Sequence, residues 1–225
     1  MLFRSNGAGV VSLIQSCCPN ITDAWQTPAA DLDAILIAIR IASYGPNLTF
    51  TVNCPECNTV NQYVQDLNYI LNSIKLPDYN LPIETQNLKI FIKPQNYKHL
   101  NKANLITFEE RQTLRLLIEA GLSDEEKKTK FDAQIKKISE LTITSLSNST
   151  EKIVTEDYEE VRDFEFIKEF YANSGQNVIA LVKSKLEQIA DEHAIKPNDV
   201  KCEKCDKIYP ATFDFNYSNF FVTGS

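Results

Sequence analysis

The sequence predicts an α+β protein: a split four-cysteine ribbon, preceded by an N-terminal helix and interrupted by a mainly helical insert between its two halves. Three observations predict it. Two Cys-x-x-Cys pairs, Cys54/Cys57 and Cys202/Cys205, each lie beside runs with β-type alternation. The stretch between them, Asn58 to Lys201, is dominated by apolar residues at helical spacing. A dense apolar run of helical type precedes the first pair. The resulting division is residues 1–70 for the helix and first ribbon half, 71–198 for the insert, and 199–225 for the second half and an aromatic tail. A chain of 225 residues with 43% hydrophobic content can bury a real core, so the cysteine pairs need not supply the whole fold.

Taken in order, the first element runs from Thr27 to about Tyr44. Thr27 is placed to cap it, Pro28 suits the first turn, and Asp31 and Asp33 suit the positive end of the macrodipole. Gly45-Pro46 stops it. Leu32, Ile35, Leu36 and Ile39 keep helical spacing, while Ile37, Ala38 and Ile41 make the remaining surface apolar too, which places this helix centrally or at an interface. Leu48–Val52 and Thr59–Gln65 read as strands on either side of the Cys54-Pro55-Glu56-Cys57 knuckle, with Val60 and Val64 on one face and Tyr63 on the other. Leu88–Ile92 is a further short strand.

Two Ser/Thr-x-x-Glu patterns, Thr107/Glu110 and Ser123/Glu126, predict two helix starts, with Gly121 marking a hairpin between helices that carry Leu114, Leu117 and Ile118 and then Phe131, Ile135 and Ile138. The polar stretch Thr142–Thr150 reads as a loop or weak strand. Helices follow over Asp157–Asn173 and Gln176–His193, separated by Ser174-Gly175. The tail returns to β-type sequence through Cys202-Glu203-Lys204-Cys205, Ile208 and Ala211–Phe215.

The cysteine pairs carry the chemistry. A Cys-x-x-Cys knuckle turns tightly enough to set two thiolates on one ion, and two knuckles close a tetrahedral four-sulfur shell around one structural zinc, leaving no position for a reacting water. The ligand set is Cys54, Cys57, Cys202 and Cys205. The spacing is far longer than in a compact ribbon, so two other readings stand beside it: four cysteines buried as small hydrophobes, and a thiol oxidoreductase with one reactive pair. Redox chemistry expects its motif at a helix start in a βαβ setting, which neither pair has. Cys17-Cys18, adjacent to each other, belong with a partly buried N-terminal segment.

Composition narrows the function classes. A net charge of −7 provides no positive field for phosphate backbones, and no run approaches the roughly 18 apolar residues that span a bilayer. The start carries no export pattern, so the cysteines are expected in a reducing compartment. The two histidines, His99 and His193, lie outside any ligand or nucleophile motif, and the acidic clusters sit where helix starts favour them. With six glycines and no phosphate-cradling loop, the chain is expected to be non-enzymatic, without a small-molecule substrate.

Several blocks together resemble a known family: Asp31-Leu32 through Arg40-Ile41-Ala42-Ser43-Tyr44-Gly45; Cys54-Pro55-Glu56-Cys57 followed by Asp66-Leu67; and Cys202-Glu203-Lys204-Cys205 followed by Phe213-Asp214 and Ser218-Asn219-Phe220-Phe221. The chain resembles the baseplate hub assembly proteins of T-even-type contractile-tailed bacteriophages. The resemblance covers about the first 70 residues and the last 25, not the insert, and it names no catalytic residue. It implies a late protein in the host cytoplasm that acts as an assembly chaperone or hub component, with baseplate hub proteins as partners. Ile37 and Ile41 on the first helix and Tyr217, Phe220 and Phe221 in the tail are the expected partner contacts. The alternative is a zinc-ribbon nucleic-acid-binding or transcription-related factor, for which Lys127, Lys128, Lys130, Lys136 and Lys137 would have to supply a basic patch.

Overall fold

The computed structural model describes residues 7–75, 77–85, 87–119, 124–196 and 198–211. Helix α1 (Ala8–Cys17) packs on α2 (Leu32–Tyr44) through Val10, Val11, Ile14, Leu32, Leu36 and Ile39, the first of four buried apolar clusters. The antiparallel hairpin β1 (Asn47–Asn53) and β2 (Val60–Asp66) carries the first cysteine pair at its turn. Helix α3 (Leu67–Ser73) follows at once, capped by the Asp66 carboxylate, which accepts from the Asn68 N–H at 2.8 Å.

The insert has its own sheet, with antiparallel order β3 (Ile83–Glu84), β4 (Leu88–Ile92), β5 (Thr150–Thr155) and β6 (Glu160–Val161). A long helical hairpin, α4 (Tyr97–Glu119) and α5 (Asp124–Asn148), connects β4 to β5, and α6 (Phe164–Asn173) and α7 (Gln176–His193) complete the insert. Its core is Ile83, Ile90, Ile92, Leu146, Ile153, Ile167, Tyr171, Val182 and Ile189. The chain ends its described course in the hairpin β7 (Asn198–Lys201) and β8 (Ile208–Ala211), which carries the second cysteine pair.

Four expectations on element boundaries are corrected. Thr27 does not cap α2. It lies after a 3-10 turn, Ala24–Gln26, and its carbonyl accepts from the Tyr97 N–H at 2.9 Å while Ala29 donates to Gln95 at 2.8 Å, so the segment bridges to the insert and the helix starts only at Leu32. Thr107 does not open a helix either. No Gly or Pro interrupts the chain from Tyr97 to Glu119, and the helix start is marked by Asn96, whose Oδ1 accepts from the His99 N–H at 3.0 Å.

Thr142–Asn148 is helix rather than loop because Leu146 is pinned in the core and Ile143 packs against it. The hydroxyls bond back along the helix, Ser147 to the Ile143 carbonyl and Thr150 to the Leu146 carbonyl, both at 2.8 Å. Finally, Asp157 lies in the β5–β6 turn, and α6 starts at Phe164, where Asp163 accepts from the N–H groups of Glu165 and Phe166. The strands around the first knuckle, the Leu88–Ile92 strand and the Gln176–His193 helix lie where the alternation and periodicity put them.

Candidate metal centre

The two knuckles are built alike. In the first, the Cys54 N–H donates to the Thr59 carbonyl at 2.9 Å and the Asn58 N–H to the Cys54 carbonyl at 2.9 Å; in the second, Cys202 donates to Lys207 at 2.8 Å and Asp206 to Cys202 at 3.1 Å. Asn58 and Asp206 occupy the same left-handed position, at φ 54° and 59°. Asn and Asp are the non-glycine residues that tolerate it best, which is how two tight turns form without glycine. The registers match as well: Asn53 pairs with Val60, and Lys201 with Ile208. Val60 and Ile208 are each 63% exposed, so the hairpins present equivalent outer faces.

These turns bring the four sulfurs within 4.8 Å of one another, with Cys54–Cys205 and Cys57–Cys202 both at 3.6 Å. All four cysteines are free, and 3.6 Å is far beyond a disulfide bond of about 2.05 Å. It lies close to the roughly 3.8 Å that separates thiolates arranged tetrahedrally at about 2.3 Å from a zinc ion. Each close pair joins the two knuckles, so the cluster binds together chain segments on either side of the insert. Both pairs sit in β-turns rather than at helix starts, unlike the arrangement of thiol oxidoreductases.

Val52 and Val200 pack against the sulfur cluster, and polar side chains make the directed bonds between the halves. Buried Asn61 donates through Nδ2 to the Thr59 carbonyl at 2.9 Å and to Cys202 Sγ at 3.6 Å, and its Oδ1 accepts from the Glu203 N–H at 3.0 Å. Tyr63 donates to the Lys201 carbonyl at 2.9 Å and meets the Tyr209 hydroxyl at 3.2 Å. Asn198 donates to Gln65 at the far end of the same seam. The period-two reading of β2 is right, but the inward face is Asn61, Tyr63 and Gln65 while Val60 and Val64 point outward. In the second hairpin Tyr209 occupies the place that Asn61 has in the first.

The thiols are polarised in opposite directions. Hydrogen bonding from the Thr59 hydroxyl, then from the Thr59 backbone, pulls Cys57 down to about 6. Backbone hydrogen bonding at Cys205 and then at Lys204 lowers Cys202. At Cys205 a backbone hydrogen bond from Lys207 lowers the value, but burial and hydrogen bonds with Cys57, Cys54 and Cys202 outweigh it and push the thiol up to about 12. Tyr63 is raised by burial and by its bond to Tyr209. The lowering at Cys57 and Cys202 favours the thiolate form that ligates a cation.

Among the described residues, this quartet is the one group of three or more His, Cys, Asp or Glu side chains gathered around a common point. A family model described as T4 bacteriophage base plate protein matches residues 7–222. The chain belongs to that family. No curated protein and no solved structure matches it.

Within the described residues, the structure gives a place to the N-terminal sequence blocks that carried the resemblance. Arg40 is buried, reaches the Gly45 carbonyl at 3.5 Å and lies 4.6 Å from the Tyr44 ring centre, so the Arg40–Gly45 block is the corner that turns α2 into β1. Gly45 sits there at φ 84°. Leu67 donates its N–H to the Pro46 carbonyl and packs with Ile70 on Ile37.

This last contact corrects one expectation. Ile37 is 0% exposed and Ile41 packs against the same cluster, because α3 covers that side of α2; a partner could meet Ile37 only by displacing α3. Tyr217, Phe220 and Phe221 lie outside the described residues, as do Phe213 and Phe215. No helix among the described residues is long and apolar enough to cross a membrane. Of the suggested basic patch, Lys137 pairs with Glu110 at 3.3 Å. His99 is held below the usual imidazole range by burial and by Lys98, Lys93 and Lys102.

Proposed function

We propose that this protein works in phage tail baseplate hub assembly, as an assembly chaperone or as a hub component, through protein–protein contacts and without catalysis. The observation that carries this reading is the family match over residues 7–222. One structural zinc on Cys54, Cys57, Cys202 and Cys205 locks residues 1–70 to residues 199–225, and residues 71–198 form the insert. The sulfur spacing and the pre-polarised thiols support zinc, since a closed thiolate shell suits that ion and leaves it no open position. The role places the protein in the host cytoplasm during assembly, with baseplate hub proteins as partners and Tyr217, Phe220 and Phe221 among its contacts.

The test is quantitative mass spectrometry of purified mature virions and of tail-assembly intermediates from the same infection. Stoichiometric presence in mature tails makes the protein a hub component, and presence in intermediates alone makes it a chaperone. Absence from both overturns the reading. Elemental analysis of the purified chain should return one zinc per molecule, and none would remove the metal from the proposal.

A further inference from the structure

The hairpin of α4 and α5 is built against the usual pattern. A helical pair ordinarily buries its apolar stripe and exposes its charges. Here Phe131, Ile135 and Ile138, at i, i+4 and i+7 on α5, form one stripe that is about half exposed, while Glu110 and Gln134 are only 7% and 8% exposed. Ile138 also lines a 490 Å³ groove between the two helices, opposite Thr107, Glu110 and Arg111 of α4. Glu110 Oε1 accepts from Lys137 Nζ at 3.3 Å, but its Oε2 is buried with no hydrogen-bond partner, as is Gln134 Oε1. An apolar ridge therefore borders a groove whose wall holds an unsatisfied carboxylate oxygen, a costly arrangement in a finished surface.

Resting on the baseplate reading above, we propose that this groove seats an amphipathic helix of another baseplate protein. Its apolar residues would repeat at i, i+3 or i+4, and i+7, with a Lys or Arg among them. The apolar residues cover Phe131, Ile135 and Ile138, as helix-in-groove recognition requires. A small rotation of the Glu110 carboxylate turns Oε2 toward the incoming cation, forming a charge-assisted hydrogen bond. The unsatisfied acceptor sets the sign of the occupant's polar group. Lys128, Lys136 and Lys137 flank the same stripe on α5, so a second copy of this helix is the competing occupant that the crosslinked peptides must distinguish from a baseplate partner.

The experiment is photo-crosslinking during phage infection, with benzoylphenylalanine in place of Ile135 and, separately, of Phe131. Lys136, on another side of α5, serves as the control position. Crosslinked peptides are identified by mass spectrometry, and sedimentation with tail intermediates is read from the same samples. The expected result is one amphipathic segment of a baseplate protein bearing Lys or Arg, captured from positions 135 and 131 but not 136, with yield reduced about tenfold by Glu110→Gln. Three outcomes overturn the inference: no crosslink from either position, capture of a copy of this chain, or a yield unchanged by Glu110→Gln. If the protein sediments with intermediates while the crosslinks fail, the groove proposal alone falls. If it never joins intermediates, the baseplate reading falls with it.

Discussion

The ribbon and the insert solve the same problem by opposite means. The insert packs nine buried core residues, all apolar or aromatic, from its sheet and three of its helices, whereas the buried cluster of the ribbon is Cys54, Cys202 and Tyr209. Around that cluster run Asn61, Tyr63 and Gln65, which join the two hairpins by hydrogen bonds. The difference teaches where stability comes from in each region. The insert has enough apolar surface to hold its fold by burial, while the ribbon buries little, is defined by directional bonding, and gathers four sulfurs where the proposed zinc would add strength.

The sharpest way to break the comparison is to remove the metal. Cys54→Ser or Cys202→Ser, or a strong chelator, should cost the ribbon on the order of 10 kcal/mol. Calorimetry should then show the ribbon transition moved to far lower temperature while far-ultraviolet circular dichroism retains the helices of the insert. A single cooperative loss of both would mean that the two regions are not separable. Next in size, Ile90→Ala should destabilise the insert by about 2–5 kcal/mol, since Ile90 is fully buried on β4, one of the two inner strands. Denaturant melts should show that change with zinc binding unaltered.

A smaller effect, about 1–3 kcal/mol, is expected for Asn61→Ala, which leaves the Glu203 N–H without its acceptor and Cys202 without its side-chain donor. Zinc affinity measured by competition should fall in parallel. Asp163→Ala removes the cap of α6 and should cost about 1 kcal/mol in the insert, visible in the same melts.

The last expectation concerns pH in the metal-stripped chain. Cys57 is lowered to about 6, so its stabilising contribution is complete above its unfolded value near 9.0 and disappears as pH falls through 6. Cys205 is raised to about 12, so its contribution is complete below that unfolded value and is lost as pH rises through 12. The stripped ribbon should therefore melt highest near pH 9, and a flat profile between 6 and 12 would count against the assigned polarisation.

Much of this was legible in the sequence wherever local pattern and tertiary environment agree. The knuckles declare themselves because the Cys-x-x-Cys spacing itself dictates a tight turn with two neighbouring sulfurs, and α7 because its periodicity has no competitor. Thr107/Glu110 misled because the same spacing that makes a capping box also fits the surface of an uninterrupted helix. The Ser- and Thr-rich end of α5 misled because its helicity depends on Leu146 reaching a core assembled from residues distant in sequence. The burial of Ile37 was hidden for the same reason, since its cover, α3, lies beyond the first knuckle. The inward polar face of β2 was hidden because its partners, Lys201, Glu203 and Tyr209, are at the other end of the chain.

Splitting the ribbon across the insert also sets an order of events during synthesis. Cys54 and Cys57 emerge from the ribosome with half a shell and wait while the whole insert is translated, roughly ten seconds or more at ordinary rates. Only a chain that has passed Cys205 can complete the cluster. A product terminated within the insert has the first cysteine pair on a finished hairpin but lacks the second pair, so its sulfur cluster stays open.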